Sequence, residues 1–233
     1  MNLAWPSALL LLTAWAAQAD DADKLRALGG GVFTKGGAVA EINLNRSRIT
    51  DDQLKLVASF ANLTDLSLEQ TKIGDAGLAH LTGLAKLEWL NLYRTQVGDV
   101  GLAHLAKLPR LQHLPIGETR VTDAGMEHIA KMKRLVYLGL RGNKISDAAL
   151  AHLAKLPRLT ELHLGETGIA DMGTRQLAAL SQLQKLWLND TLLTDASVAR
   201  LAKLKRLQSL YLHRTRLTIE GVRRLQKALP TCR

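Results

Sequence analysis

Residues 87–110 read LEWLNLYRTQVGDVGLAHLAKLPR. Leucine stands at its first, fourth and sixth positions, and further apolar residues follow at regular places in its second half. The same pattern recurs every 24 residues. Its first position is occupied by Leu63, Leu111, Leu135, Leu159, Leu183 and Leu207, with Val39 as a weaker first member. Eight copies therefore cover residues 39–230, and we number the positions of each copy from 1 to 24.

Each copy combines a strand pattern with a helix pattern. The first six positions alternate, as in LEWLNL, which favours a strand whose leucines point inward. A helix follows, as in residues 101–108, and buries Leu102, Leu105 and Leu108. A hydroxyl residue and an aspartate, which suit the cap and first turn of a helix, precede several of these helices: Thr50-Asp51, Thr122-Asp123, Ser146-Asp147 and Thr194-Asp195. Pro115 lies within the fourth strand, where it cannot donate a hydrogen bond, so we expect a local break there.

The pattern L-x-x-L-x-L-x-x-T-x-V resembles the leucine-rich repeat, with Thr where the usual form has Asn or Cys. The resemblance implies an α/β fold, a right-handed solenoid or horseshoe with a parallel β-sheet on its concave face and helices on its convex face. It also implies a protein-interaction scaffold of the bacterial-type secreted class. The T-D-x-G-L helix starts are similar to repeats of F-box substrate receptors of ubiquitin ligases. We expect no F-box region here, because only about 20 residues separate a predicted leader from the first copy.

Residues 1–19 have the features of a secretory signal peptide. Residues 8–17 are almost entirely apolar, and Ala17-Gln18-Ala19 provides a small-x-small cleavage site before Asp20, although no Lys or Arg precedes the apolar stretch. No later stretch approaches the roughly 18 apolar residues that span a bilayer. The sequence predicts a secreted, periplasmic or cell-envelope protein that is not transmembrane after signal cleavage.

The two ends of the repeat array depart from the pattern. Residues 20–38 predict an N-terminal cap over the first copy, with a short helix at 21–28, an edge strand at 32–34 and Phe33 as a plug. At the other end the last helix is polar, and residues 231–233 form a short tail. Its Cys232 is the single cysteine, which excludes an intramolecular disulfide and a cysteine-rich metal site. We expect Cys232 to be a frayed tail residue, with a link between two chains as the alternative.

The outward strand positions of each copy are the third, fifth, seventh and eighth. All five Trp and Tyr residues that follow the leader occupy them: Trp89, Tyr93, Tyr137, Trp187 and Tyr211. Because parallel strands lie about 4.8 Å apart, stacking predicts two rows on the concave face, Trp89–His113–Tyr137 and His163–Trp187–Tyr211, with His213 beside the second. Between the rows, the glycines at 117, 139, 142 and 165 should leave a bare floor around Arg141.

Exposed aromatic rings around an arginine are typical of binding hot spots. The sequence therefore predicts a non-enzymatic scaffold that binds a protein or peptide on its concave face, with no cofactor and no metal. The alternative for this surface is that aromatic residues simply suit strands and that Arg141 pairs with Glu118 or Glu166.

The net charge of +10 and pI of about 9.9 indicate a surface that attracts anions. Cations at the last four positions of the copies predict a basic ridge on the helical side, interrupted at the sixth copy by Ala179 and Gln182. Its members are Lys86, Lys107, Arg110, Lys131, Lys133, Arg134, Lys155, Arg158, Lys203, Lys205 and Arg206. Such cations complement helix dipoles and aid solubility. The alternative is a strip that binds a polyanion or an anionic membrane surface, as in an envelope-associated protein; without a nucleic-acid motif, nucleic acid is not expected.

Catalysis has little support in the sequence. It lacks a G-x-S-x-G, H-E-x-x-H, P-loop or dinucleotide motif. The recurring aspartates are explained by helix starts. Histidines recur at position 18 of four copies (His80, His104, His128 and His152) and could bind a transition metal or sense pH. No carboxylate or cysteine recurs beside them, so we expect these histidines to occupy a repeated surface position instead.

Overall fold

The computed structural model describes the backbone of residues 5–233 and the side chains of residues 16–233. The start of the predicted leader, residues 1–4, lies outside the described residues. From residue 5 the chain forms helix α1 (Trp5–Ala27), which passes without a break through the Ala19–Asp20 bond. Within the described part, no helix combines the length and the apolar character needed to cross a bilayer.

In the part of the chain that the structure describes, one sheet of nine strands extends from residue 31 to residue 211, and its strand order follows the chain. The first two strands pair antiparallel, and every later strand pairs parallel to its predecessor. The strands are β1 (Gly31–Lys35), β2 (Ala38–Asn43), β3 (Asp65–Ser67), β4 (Trp89–Asn91), β5 (His113–Pro115), β6 (Tyr137–Gly139), β7 (Glu161–His163), β8 (Lys185–Trp187) and β9 (Ser209–Tyr211). Each copy contributes one strand from β2 onward, so the copies stack in phase as an α/β solenoid.

Short helices alternate with these strands. They are α2 (Asp75–Leu78), α3 (Asp99–Leu105), α4 (Met126–Ile129), α5 (Leu150–Leu153), α6 (Thr174–Leu177), α7 (Val198–Leu201) and α8 (Ile219–Ala228). Turns of 3-10 helix cover Asp52–Ser59, Ala79–Leu81, Asp123–Gly125, Asp147–Ala149 and Asp195–Ser197. Helix α3 ends at Leu105, short of the predicted boundary, yet Leu108 in the following turn is still buried.

Inward-pointing leucines build a continuous core. The residues at position 4 from the first to the seventh copy are fully buried: Ile42, Leu66, Leu90, Leu114, Leu138, Leu162 and Leu186. Burying one such side chain stabilises the folded chain by about 1.5–3 kcal/mol. A single copy has no neighbour to cover its leucines, so the fold depends on stacking.

The recurring aspartates at position 13 do more than begin helices. Each accepts a hydrogen bond at Oδ1 from the backbone N–H of a residue 23 positions later, in the next copy, at 2.6–2.9 Å. Where that residue carries a hydroxyl, as Thr122 does beside Asp99, the hydroxyl also donates to the carboxylate, at 2.6 Å. The same hydroxyl accepts from Ala124 N–H, which confirms the predicted cap. The aspartates therefore join consecutive copies.

The eighth position of every copy adopts a left-handed backbone. Non-glycine residues there have φ between 51° and 57°: Arg46, Gln70, Arg94, Glu118, Glu166, Asp190 and Arg214. Gly142 takes this position in the fifth copy, with φ of 70°. The turn after each strand therefore has one fixed shape, which places positions 7 and 8 at the same edge of the concave face in each copy.

The strand break predicted at Pro115 is confirmed. Strand β5 pairs with β4 through a single residue pair, Trp89 and His113, whereas it pairs with β6 through three. Proline has no N–H to donate toward β4, but its carbonyl still accepts from Leu92 N–H at 2.8 Å.

The caps differ from expectation in two details. Phe33 is 53% exposed, so its predicted role as a plug is wrong. Ala22 and Leu25 of α1 are buried against the first copy instead, because they lie on the face of the helix that packs on it. At the other end, Cys232 is half-buried against the core rather than frayed, and this burial raises the pKa of its thiol. Arg233 pairs with β9, since its N–H donates to Gln208 O and its carbonyl accepts from Leu210 N–H.

Candidate functional site

The first predicted aromatic row is confirmed by the sheet register. Trp89 pairs directly with His113, and His113 pairs with Tyr137, so the three lie side by side across β4, β5 and β6. All three side chains are half-buried. Burial raises the pKa of the Tyr137 hydroxyl, which stays protonated at neutral pH.

The second row is also confirmed and forms a tight stack. The rings of His163 and Trp187 lie 5.3 Å apart between centroids with planes 5° apart, and Trp187 and Tyr211 lie 5.3 Å apart with planes 2° apart. Tyr211 on β9 is 42% exposed. His213, two residues further, is exposed at the same end of the concave face.

His163 is held neutral within this stack. Burial, together with the nearby positive charge of Arg141, lowers the pKa of His163 to about 4. Its Nδ1 accepts a hydrogen bond from Gly165 N–H at 3.1 Å. The ring is therefore uncharged at physiological pH and is kept in one orientation for stacking on Trp187.

The floor between the rows is not bare, which corrects the prediction from the four glycines. Side chains from neighbouring positions lie over each of them: Tyr93 over Gly117, the Tyr137 hydroxyl over Gly139, Glu118 over Gly142, and His163 with Asn189 over Gly165. A Cβ on Gly117 would come 3.1 Å from the Tyr93 ring and 2.8 Å from Arg141 O. The glycines allow these side chains to lie flat on the sheet.

Tyr93 belongs to a polar cluster with Glu118. Its hydroxyl donates to Glu118 Oε1, and Arg94 donates from Nε to Glu118 Oε2 at 2.6 Å. The Arg94 guanidinium also lies 5.2 Å from the centre of the Tyr93 ring. The Arg94 hydrogen bond lowers the pKa of Glu118, while burial raises that of Tyr93.

Arg141 pairs with Glu166. This agrees with the alternative prediction that Arg141 forms an ion pair with Glu118 or Glu166. Its Nε and Nη2 both donate to Glu166 Oε1, at 3.0 and 2.6 Å. This pair raises the pKa of Arg141. Arg141 is therefore oriented by its partner rather than standing alone.

Among the described residues, four ion pairs of this kind cross between copies on the concave face: Arg94–Glu118 at 2.6 Å, Arg141–Glu166 at 2.6 Å, Lys185–Glu161 at 3.0 Å and Arg214–Asp190 at 2.7 Å. The sequence analysis did not predict Glu161 and Asp190 as acidic partners in these pairs. A signal was present, because three of the pairs join opposite charges at the same position of adjacent copies.

The basic ridge lies elsewhere than predicted. Its residues occupy the turns between the end of one helix and the start of the next strand, as Lys107 and Arg110 do between α3 and β5. All eleven side chains are exposed. The ridge therefore borders the edge of the sheet at which the strands begin, instead of lying on the helices.

The histidines at position 18 lie on the short helices, and His80 is exposed while the other three are half-buried. In the described part of the chain, no three His, Cys, Asp or Glu side chains lie close enough together to hold a metal ion.

Comparison with known proteins identifies the fold through solved structures. No family model matches the chain, and no curated protein matches it. The leucine-rich repeat ectodomain of the Arabidopsis thaliana receptor kinase GASSHO1/SCHENGEN3, solved in complex with CASPARIAN STRIP INTEGRITY FACTOR 2, gives a TM-score of 0.59 at 18% identity. That match covers 87% of this chain and 25% of the ectodomain, so this chain spans a quarter of its length.

Two bacterial structures are also similar. Internalin C2 of Listeria monocytogenes gives a TM-score of 0.58 at 26% identity, over 77% of this chain and 81% of that one. A leucine-rich repeat protein of Leptospira interrogans gives 0.59 at 21% identity, over 82% and 59%. Together with the regular repeat and the one-strand-per-copy sheet, these matches show that the chain has the leucine-rich repeat fold, an α/β solenoid.

Proposed function

We propose that this chain is a non-enzymatic interaction scaffold that binds a protein or peptide partner on its concave face. The observation that carries the proposal is the stack of His163, Trp187 and Tyr211, whose rings are aligned within 5° and reach the surface. Aromatic residues fixed in place before binding lose little conformational entropy when a partner covers them. They are also among the residues that most often dominate binding energy.

The ion pairs around the aromatic rows suit the rim of such a site. Their side chains are partly exposed, and exposed pairs contribute only about 0–1 kcal/mol to stability. The charged groups of a binding partner can therefore replace the internal ion-pair partner of Glu118 or Glu166 at little cost in free energy. An aromatic centre with a polar rim is the usual anatomy of a protein interface.

The plant ectodomain, which has a similar fold, was solved in complex with a partner, and this supports the proposal. For this chain the partner would lie across several copies, from Trp89 to Tyr211.

Export is part of the proposal, since residues 1–19 have the features of a signal peptide. N-terminal sequencing of the natural protein should begin at Asp20. A protein that retains Met1 in the cytosol would favour the alternative, a substrate-recognition subunit similar to the F-box receptors.

The concave face is tested by replacing one tryptophan in each row, Trp89→Ala with Trp187→Ala. Crosslinking pull-down from an extract of the source organism should lose the partner captured by the wild type. A matched control replaces two exposed apolar residues on the helical side, Val100→Ala with Met172→Ala, and should keep it. Unchanged capture by the tryptophan variant would end the proposal.

A further inference from the structure

Three successive copies present an array of six exposed cations at the edge of the sheet. Position 21 is lysine and position 24 is arginine in each of them: Lys107 and Arg110, Lys131 and Arg134, Lys155 and Arg158. We call these six residues the cation array. Since adjacent strands lie about 4.8 Å apart, three coils extend the array over at least about 10 Å.

Within the described residues, the six cations have no internal partner. None of the six side chains forms an ion pair or a hydrogen bond, although the backbone carbonyl of Lys155 accepts one from Lys133. Other members of the basic ridge do: Lys86 donates to Asn62 Oδ1 at 2.6 Å, Lys133 to Lys155 O at 3.1 Å, and Lys205 to Ala228 O at 3.1 Å. Those bonds give part of the ridge a structural role that the cation array does not share.

The surroundings of the array do not neutralise it. No Asp or Glu occupies positions 21–24 in any copy, and position 2 of the copies that follow, just before each strand, holds Gln112, Val136 and Thr160. The preceding helices are only four to seven residues long, which leaves little dipole for six cations to compensate. The array therefore concentrates positive charge that folding does not require.

We propose that the cation array binds a linear polymer that carries phosphate or sulfate groups but no nucleobases, at repeat positions outside the two aromatic rows. The cations repeat along one direction with the period of the coils, which matches a polymer with regularly spaced anions. Binding releases the counterions of such a polymer and is favoured at low salt. The array ends at the sixth copy, where positions 21, 23 and 24 are Ala179, Ser181 and Gln182. The site is thus three coils long.

Two other anionic partners fit the array less well. Membrane-surface binding normally adds exposed apolar side chains to the cations. None of the large apolar residues exposed in the described part occupies positions 21–24 of a copy: these residues are Phe33, Val100, Met172, Leu192, Tyr211 and Ile219. Single-stranded nucleic acid is held by rings on which its bases stack, and positions 21–24 of these three copies contain no aromatic residue.

The test measures binding of fluorescent polyphosphate and heparin to the full chain at salt concentrations from about 50 to about 200 mM. The variant Lys107→Gln/Lys131→Gln/Lys155→Gln removes three cations of the array. The control Lys72→Gln/Arg120→Gln/Lys144→Gln removes three exposed cations at position 10, on the other side of the strand. Thermal unfolding should be the same for both variants.

The array variant should bind about tenfold or more weakly at low salt, and the slope of log K against log salt should decrease by about three. The control should keep the slope and the affinity of the wild type to within about threefold. Equal losses in both variants, or no binding by the wild type at low salt, would overturn the proposal.

Two further probes separate the sources of anionic charge. The first probe is vesicles of phosphatidylglycerol and phosphatidylcholine. If the wild type binds them more tightly than either polymer and the array variant no longer binds them, the ligand is a membrane surface and the proposal is overturned. Tighter binding of oligodeoxythymidylate than of polyphosphate of the same charge would likewise overturn the proposal in favour of nucleic acid. Weaker binding of both probes than of the polymers supports it.

Discussion

His163 and Trp187 occupy neighbouring copies of the repeat, and their rings stack with centroids 5.3 Å apart. The distance is close to the spacing of neighbouring strands. Tyr211, one copy further along the chain, extends the stack with the same spacing. The stack is thus a direct consequence of copies of equal length that pile up in phase, and the same cause aligns Trp89, His113 and Tyr137.

The low pKa of His163 predicts a pH dependence of stability. The group takes up a proton near pH 6.5 when unfolded and near pH 4 when folded, so between these values the unfolded state binds more protons. The free energy of unfolding should therefore fall as the pH falls from 6.5 to 4, because burial and the nearby positive charge of Arg141 favour the neutral ring. The shift corresponds to at most about 3 kcal/mol, which partial exposure reduces to about 1 kcal/mol.

Denaturant unfolding of the wild type and of His163→Phe at several pH values checks this effect. Phenylalanine keeps a ring beside Trp187 but cannot take up a proton, so the decrease between pH 6.5 and 4 should be smaller in the variant. His80→Phe, at an exposed position, should leave it unchanged. A decrease that is identical in wild type and His163→Phe would refute the assignment.

The aspartates that join copies predict a second effect. Asp99→Ala removes the acceptor of both Thr122 N–H and the Thr122 hydroxyl. Because hydrogen bonds to charged groups contribute about 1.5–3 kcal/mol, the free energy of unfolding should fall by about 2 kcal/mol. Equilibrium unfolding in urea measures it.

Glu127→Ala is the control for that substitution, since it also removes one negative charge from this part of the chain but is exposed on α4. It should change stability by less than about 0.5 kcal/mol. Similar losses for both variants would mean that net charge, rather than the contact between copies, is responsible.

The glycine under Tyr93 predicts a third effect. In Gly117→Ala the new methyl group would meet Arg141 O at 2.8 Å and the Tyr93 ring at 3.1 Å, and the backbone oxygen cannot move aside easily. Overpacking of this kind costs about 1–3 kcal/mol. The Tyr93 ring should also move away from Glu118, so the pKa of Tyr93, measured by ultraviolet titration, should return toward its ordinary value.

Gly83→Ala is the matched comparison, because a Cβ there has open space around it. Its free energy of unfolding should stay the same or rise by up to about 1 kcal/mol, since alanine restricts the unfolded chain. Equal stability of the two alanine variants would show that the close packing at Gly117 has no energetic consequence.

The amino-acid sequence predicts what depends on the period alone. Inward and outward positions recur once in every copy, so the buried leucines, the two aromatic rows and the interruption at Pro115 can all be located from the residue pattern. Each of these follows from which face of a strand a residue occupies and which residue of the next copy lies beside it.

The features that the residue pattern does not predict depend on the orientation of individual side chains. Tyr93 bends over Gly117, and Glu118 bends over Gly142, because a neighbouring glycine leaves room; no periodic pattern states this direction. Phe33 is large and apolar, which predicts an inner position, but the two-residue repeat of β1 gives the inner side to Val32. The basic ridge is predicted on the helical side because the leucine pattern of each copy continues beyond the end of its short helix.

Site-specific photocrosslinking of the natural partner shows which face of the solenoid binds it. A photoreactive phenylalanine replaces Tyr211, 42% exposed on the concave face, or Met172, 66% exposed on the helical side. If the concave face binds the partner, the adduct forms from position 211 and not from position 172. An adduct from position 172 without one from position 211 would contradict the account.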